Sequence, residues 1–190
     1  PSSVYDSFNE PKLTEKTILT IFNNLIEVLI SKEIKCNFFQ ASSSEMFSPN
    51  LEGKIDESCK LEPNSPYAKA KVSNHKKLLR LIDEYQWNMT SGIMFNHESE
   101  FRNNDYLFMK IIKNAIDIKN NHKNSFTVGS LDLVRDWSFA GDFAEAIHLI
   151  CLEGNGENFV IGSGVGHSIG ELIKIVFEYF NLDPKEFIQL

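Results

Sequence analysis

The sequence contains no apolar run near the ~20 residues needed to cross a bilayer. Its opening, PSSVYDSFNE, also lacks the basic-then-apolar profile of a secretory signal. The expectation is a cytoplasmic protein with no membrane partner. Cysteine is scarce: Cys36, Cys59 and Cys151 fall at no metal-ligand spacing, and an odd number in a reducing compartment calls for no disulfide. They are expected to be plain thiols, with no metal site. Positive charge is in deficit, 19 Lys and Arg against 26 Asp and Glu for a net charge of -7. That argues against nucleic acid or an anionic membrane as partner, since both need positive charge to neutralise phosphates. A small anionic ligand held by a few local bases remains compatible. Glycine is short where it would matter most. None of the ten glycines follows a strand in the glycine-rich turn that opens a dinucleotide-binding fold. The nearest candidate, Gly162-Ser163-Gly164-Val165-Gly166, comes late, has the wrong spacing and reads as a turn.

What is present is an ordinary globular composition, 42% hydrophobic and 24% charged over 190 residues, enough for one good core. Apolar periodicity predicts a helix over 14–32, with Thr14 as N-cap and a wide apolar face through Ile18, Ile21, Phe22, Leu25, Ile26, Leu29 and Ile30. A buried strand follows at 36–41, stopped by the serines after it. Ser65-Pro66 opens a helix running to about Tyr85, with a capping serine and proline at the first helical position. Further elements are expected at 89–95 (strand), 106–119 (helix), 126–128 (strand), 142–153 (helix), 158–161 (strand) and 168–180 (helix). Strands alternating with helices indicate an α/β fold with a parallel sheet.

Two patterns suggest chemistry. In Tyr67-Ala68-Lys69-Ala70-Lys71, the first and last residues are four apart and share a helix face. A free tyrosine titrates near ~10 and is a poor base at neutral pH. A cation about 4 Å away favours the phenolate by at most ~4 kcal/mol at an effective dielectric near 20. Such a tyrosine can take a proton from a sugar hydroxyl; the bland alternative is a solvated helix face. The second pattern is Gln40-Ala41-Ser42-Ser43-Ser44-Glu45, directly after a strand, where parallel sheets place reactive groups. A hydroxyl there can hydrogen-bond a substrate oxygen and a carboxylate can act as acid or base. Ser42 and Glu45 also have capping-box spacing, which leaves a structural reading open.

Together, a hydroxyl-rich strand end followed by S-P-Y-x-x-x-K resembles the extended short-chain dehydrogenase/reductase family. Within it the match narrows to GDP-mannose 4,6-dehydratases. QASSSE at 40–45 resembles their Q-A-S-[ST]-S-E, Met94–Ser99 their L-F-N-H-E-S, and Arg135-Asp136-Trp137 their R-D-W after a similar G-x-L-D at 129–132. Asn158–Ile161 with His167-Ser168 resembles their D-F-V-I…H-S stretch.

The resemblance implies a Rossmann-like parallel sheet with part of a smaller α/β substrate-binding domain. The cofactor domain with the catalytic residues would span 1–98. A mixed region of substrate-binding and returning Rossmann elements would span 99–190. It implies a lyase that converts GDP-mannose to a 4-keto-6-deoxy sugar through NADP (NAD being possible), with Ser43, Glu45, Tyr67 and Lys71 catalytic. Tyr67 and Lys71 would also contact the cofactor, with His97 and Arg102 beside it. Ser44, Asn96, Lys110 and Arg135 would hold the sugar nucleotide. A homodimer or homotetramer is expected through helices 14–32 and 66–85.

For Arg135 an ion pair with Asp136 or Asp142 is the alternative, and for His97 a hydrogen-bonded loop histidine. His75, His122 and His148 read as structural or solvated. Where the family has E-S-P-R-R-G, this chain has Glu98-Ser99-Glu100-Phe101-Arg102-Asn103, losing one arginine and a proline. R-K-I becomes Met109-Lys110-Ile111, and W-G-H-A becomes Trp137-Ser138-Phe139-Ala140. Each change removes a positive or polar group. Pro1-Ser2-Ser3-Val4 resembles the middle of the family's A-Q-S-x-V, so the chain is expected to begin inside the cofactor domain. It is also expected to stop before the family's last substrate segments.

Two other readings stay open: an epimerase or reductase of the same family, and a non-catalytic remnant that associates through its apolar helices. Without the amides that hold a pyrophosphate, the 190-residue chain is predicted to bind NADP weakly or not at all. Titration calorimetry checks this, and tight binding would refute it.

Overall fold

The computed structural model describes residues 3–51, 53–154 and 156–190. Pro1 and Ser2, part of the P-S-S-V resemblance, lie outside the described residues. The elements in chain order are α1 (Val4–Asn9), α2 (Pro11–Ser31), β1 (Phe38–Ser43), a 3-10 turn (Ser44–Met46), α3 (Pro66–Tyr85), β2 (Met89–Met94), β3 (Asn96–Glu98) and α4 (Leu107–Lys119). They continue with β4 (Phe126–Thr127), β5 (Val134–Phe139), α5 (Ala140–Glu153), β6 (Asn158–Ile161), β7 (Gly166–Ser168), α6 (Ile169–Tyr179), α7 (Pro184–Phe187) and β8 (Ile188–Gln189). The chain divides into two compact units, residues 1–95 with 142–161, and residues 96–141 with 162–190.

The first unit holds a parallel sheet in the order β1-β2-β6. Phe38 to Ser43 pair with Met89 to Met94, and Ser91 to Met94 pair with Asn158 to Ile161. Residues 89–93 of β2 are all buried, as expected of a central parallel strand covered on both faces. At Gly92 the ring of Phe39 occupies the space a Cβ would need, so a larger residue there would have to displace that ring.

Helix α2 begins earlier than the sequence suggested. Pro11 stands at its first position, where a missing N–H costs nothing, and Thr14 is a buried residue inside the helix rather than its cap. Its apolar face splits in two. Ile18, Phe22, Ile26 and Leu29 are buried, whereas Ile21, Leu25 and Val28 are exposed. Phe22, Ile26 and Leu29 pack with Leu78 and Leu81 of α3 and with Trp87 and Met89, while Ile18 packs with Tyr67 and Ala70. Each such large apolar side chain contributes ~1.5–3 kcal/mol through burial. Polar contacts fix the register of the two helices: Asn74 Nδ2 donates to the Ile18 carbonyl (3.2 Å) and Lys77 Nζ to Asn23 Oδ1 (2.7 Å).

The start of α3 follows its sequence signals, with the Ser65 side chain accepting from the Ala68 amide and Pro66 at the first position. Strand β1 does not stop at the serines, as expected from sequence, but runs through Ser42 and Ser43. The three cysteines are free thiols.

In the second unit β5 lies between β3, to which it is parallel, and β7, to which it is antiparallel; β4 and β8 form a separate parallel pair. Its core joins Ile111, Ala115 and Ile118 of α4 to Ile169, Ile173 and Phe177 of α6. A full capping box opens α6: Ser168 Oγ accepts from the Glu171 amide at 3.0 Å, and Glu171 Oε2 accepts from the Ser168 amide at 2.8 Å. The glycine-rich stretch 162–166 is a turn into β7, with Gly164 at φ +76°, a conformation glycine adopts without strain. Asp136 pins that turn. Its carboxylate accepts from the Ser163 amide (3.1 Å), the Ser163 hydroxyl (2.8 Å) and the Gly164 amide (2.8 Å). No described helix is long and apolar enough to cross a membrane.

Candidate active site

The carboxyl end of β1 turns directly into the 3-10 segment, and this turn presents Ser43, Ser44 and Glu45, all half-buried. Ser43 Oγ accepts from the Glu45 amide at 3.3 Å, which caps the turn. The capping-box reading of Ser42 with Glu45 does not hold. Ser42 points inward and bonds Ser91 of β2, Oγ to Oγ, at 2.8 Å. The turn is seated through Met46, fully buried with Phe47, Val72 of α3 and Ile93 of β2. The turn that carries Glu45 therefore packs against the helix that carries Tyr67 and Lys71.

On α3, Tyr67 and Lys71 sit one turn apart as the spacing required. Tyr67 is buried beside Ile18 and Ala70. The Lys71 ammonium lies 5.6 Å from the centre of the Tyr67 ring and donates to the Ala41 carbonyl at 2.8 Å. Its second contact ties the helix to the strand that ends at Ser43. Burial holds the Lys71 ammonium below the usual lysine range. Ser43, Ser44, Glu45, Tyr67 and Lys71 thus belong to one unit, on β1, the turn that follows it and α3, with the Lys71 hydrogen bond joining α3 to β1.

A residue the sequence did not single out for the site lies one further turn along α3. His75 is 4% exposed, and its Nδ1 is 2.8 Å from Ser91 Oγ. Burial pushes the imidazole below the usual histidine range, and the neighbouring Lys76 adds to the shift. Charging this ring is therefore harder in the folded protein than in the unfolded chain, so the unfolded chain binds more protons between the two pKa values. The stability linked to His75 is complete above about pH 6.5, the unfolded value, and falls as pH drops through the lower folded value. In urea titrations between pH 7.5 and 5, the parent protein should lose more stability than His75→Asn. Equal losses would contradict this. His122 and His148 are exposed.

The remaining sequence-predicted residues lie in the second unit. Asn96 and His97 stand on β3, in register with Trp137 and Ser138. His97 is half-buried within this strand rather than in a loop. Arg102 Nε is 2.9 Å from Glu98 Oε2, and its guanidinium lies 3.7 Å from the centre of the Tyr106 ring. The Arg102–Glu98 contact is a charge pair rather than a well-directed hydrogen bond, since neither atom has a hydrogen-bond partner among the described residues. Burial raises the Glu98 carboxyl above its usual range, while Arg102 and then His97 pull it the other way. Arg135 donates to the Val134 carbonyl at 2.9 Å. Of the two alternatives expected for Arg135, a pair with Asp136 or with Asp142, the first gives way to a different role: Asp136 holds the Ser163–Gly164 turn. Lys110 is exposed in the first turn of α4.

A sequence model of GDP-mannose 4,6 dehydratase matches residues 1–187. The chain belongs to the GDP-mannose 4,6-dehydratase family. It is 31% identical over its whole length to GDP-mannose 4,6 dehydratase 2 of Arabidopsis thaliana, covering 52% of that protein. It is 34% identical over 140 residues to the human GDP-mannose 4,6 dehydratase, covering 74% of this chain and 38% of that one. The chain spans about half the length of the curated relatives it matches most fully. Among solved structures, RMD from Pseudomonas aeruginosa, complexed with NADPH, superposes with a TM-score of 0.88 at 21% identity. That match covers all of this chain and 68% of the other. DesIV, a dTDP-glucose 4,6-dehydratase from Streptomyces venezuelae with NAD bound, superposes with a TM-score of 0.87 at 21% identity and is 57% covered. These likenesses bear out the Rossmann-like α/β fold expected for this family.

Proposed function

We propose that the protein to which this chain belongs is a GDP-mannose 4,6-dehydratase, a lyase that removes water from GDP-mannose to give GDP-4-keto-6-deoxy-mannose with NADP as cofactor. The observation that carries this is the tether from Lys71, beside the Tyr67 ring, to the strand that ends in Ser43 and leads directly into the turn bearing Glu45. A phenol, an ammonium, a hydroxyl and a carboxylate thereby stand on a helix, a strand tethered to it and the turn that follows the strand.

Tyr67, with the Lys71 ammonium stabilising its phenolate, takes the proton from the C4 hydroxyl of the hexose. Ser43 donates a hydrogen bond to the C4 oxygen as it becomes a carbonyl. A carbonyl at C4 acidifies the neighbouring C5 proton, which the Glu45 carboxylate removes. Protonated Glu45 then gives its proton to the departing C6 hydroxyl, and water leaves. Once hydride has been returned at C6, C5 takes up one solvent-exchangeable proton, which balances the one Tyr67 removed from the C4 hydroxyl. NADP, when bound, supplies a site that takes a hydride from C4 and returns it at C6. The donor set on α3 suits the nicotinamide-ribose end of such a cofactor, which Tyr67 and Lys71 would contact. The described residues contain no glycine-rich turn for its pyrophosphate.

His97 and Arg102 are proposed on the cofactor side, although Arg102 already spends its charge on Glu98. Ser44, Asn96, Lys110 and Arg135 are proposed as ligands of the sugar nucleotide, where a guanidinium and an ammonium suit a diphosphate. A homodimer or homotetramer through helices α2 and α3 fits the exposed stripe of Ile21, Leu25 and Val28.

Glu45 favours a dehydratase over an epimerase or reductase, neither of which has a use for a base at C5. The test is to incubate the full-length protein with GDP-mannose and NADP and identify the product by NMR. The expected product carries a methyl group at C6 and a carbonyl at C4. An epimerised hexose, or unchanged substrate, would contradict the proposal.

A further inference from the structure

Helix α3 grips strand β1 at two points one helical turn apart. The first is Lys71 Nζ on the Ala41 carbonyl at 2.8 Å. The second runs through β2: His75 Nδ1 to Ser91 Oγ at 2.8 Å, then Ser91 Oγ to Ser42 Oγ at 2.8 Å. All three side chains are buried, and Ser91 is fully so. Two buried hydroxyls bonded to each other hold one proton between them, and the second O–H needs an acceptor. The imidazole Nδ1 can be that acceptor, so the proposed run is Ser42 O–H to Ser91, then Ser91 O–H to His75. Removing the acceptor leaves a buried hydroxyl without a partner, and such groups are costly to strand.

None of these three residues has a role in the chemistry proposed above, but their neighbours do. Ser42 directly precedes Ser43, whose hydroxyl caps the turn bearing Glu45.

We infer that His75 is a positioning residue. Through Ser91 and Ser42 it fixes the end of β1 against α3, and so sets Ser43 and Glu45 relative to Tyr67 and Lys71. Its effect on turnover rests on the dehydratase reading; its effect on the geometry of the turn does not.

The experiment compares His75→Phe, Ser91→Ala and His75→Asn with the parent full-length protein. Asparagine can place its Oδ1 near the position of the imidazole Nδ1 and keep the acceptor. Two readouts are taken: steady-state kinetics on GDP-mannose, and hydrogen exchange at the Glu45 and Phe47 amides, with α6 amides of the other unit as control. His75→Phe and Ser91→Ala should each lower kcat by about tenfold, the scale of one buried hydrogen bond, with KM changed less than about twofold. The Glu45 and Phe47 amides should exchange about tenfold faster with α6 unchanged, and His75→Asn should recover both readouts. Unchanged exchange at the turn, a uniform rise that includes α6, or no recovery in His75→Asn would each overturn the inference. If the parent itself does not dehydrate GDP-mannose, the functional reading fails while the exchange data still decide the positioning claim.

Discussion

Glu45→Gln in the full-length protein is expected to lower the rate of water loss from GDP-mannose by ~100-fold to ~10,000-fold, the usual loss when a positioned base is removed. The change keeps size and hydrogen-bonding capacity, so the Ser44–Met46 turn should stay seated on its buried Met46. Tyr67 and Lys71 are untouched, so oxidation at C4 should continue. The variant should therefore accumulate a 4-keto hexose that retains its C6 hydroxyl, detectable by mass spectrometry after quenching. Unimpaired formation of the 6-deoxy product would show that another group removes the C5 proton, and the proposed mechanism would fail.

Tyr67→Phe should act one step earlier and with comparable severity, again ~100-fold to ~10,000-fold in kcat. The ring packs beside Ile18 and Ala70, and phenylalanine preserves that packing. Without the phenol, no proton leaves the C4 hydroxyl, and neither the 4-keto hexose nor the 6-deoxy product should appear. This separates the two variants. Loss of the base at C5 stalls after oxidation, whereas loss of the base at the C4 hydroxyl stalls before it. A Tyr67→Phe protein that still builds up the 4-keto hexose would remove Tyr67 from the role proposed for it.

The parallel sheet and the start of α3 were legible because their signals are local and redundant. Ser65-Pro66 combines a cap with a pre-set φ, and the stretch from Met89 to Phe95 is short, apolar at both ends and without a helical period. Pro11 carries the same proline signal for α2, whereas Thr14, a plausible cap by residue type, is buried inside the helix. Strands β3 and β7 are three residues each, Asn-His-Glu and Gly-His-Ser, and carry no apolar periodicity. They exist because β5 offers them backbone partners, which is a tertiary fact. The serines after Gln40 looked like a strand stop for an equally physical reason. A polar residue in a buried strand is unfavourable unless a partner waits across the sheet, and Ser91 is that partner for Ser42. The i, i+4 placement of Tyr67 and Lys71 followed from spacing alone. The contribution of His75 did not, although it stands a further four residues along the same face and Ser91 interrupts an apolar strand. Those two departures were the available signal.

The central claim is that Glu45 removes the C5 proton of a hexose already oxidised at C4. The most direct measurement runs the reaction in deuterium oxide with the full-length parent and Glu45→Gln, and reads deuterium at C5 by NMR. The parent should yield a 6-deoxy product deuterated at C5, and the variant a 4-keto hexose whose C5 still carries protium. Deuterium entering C5 as fast in Glu45→Gln as in the parent would contradict the account.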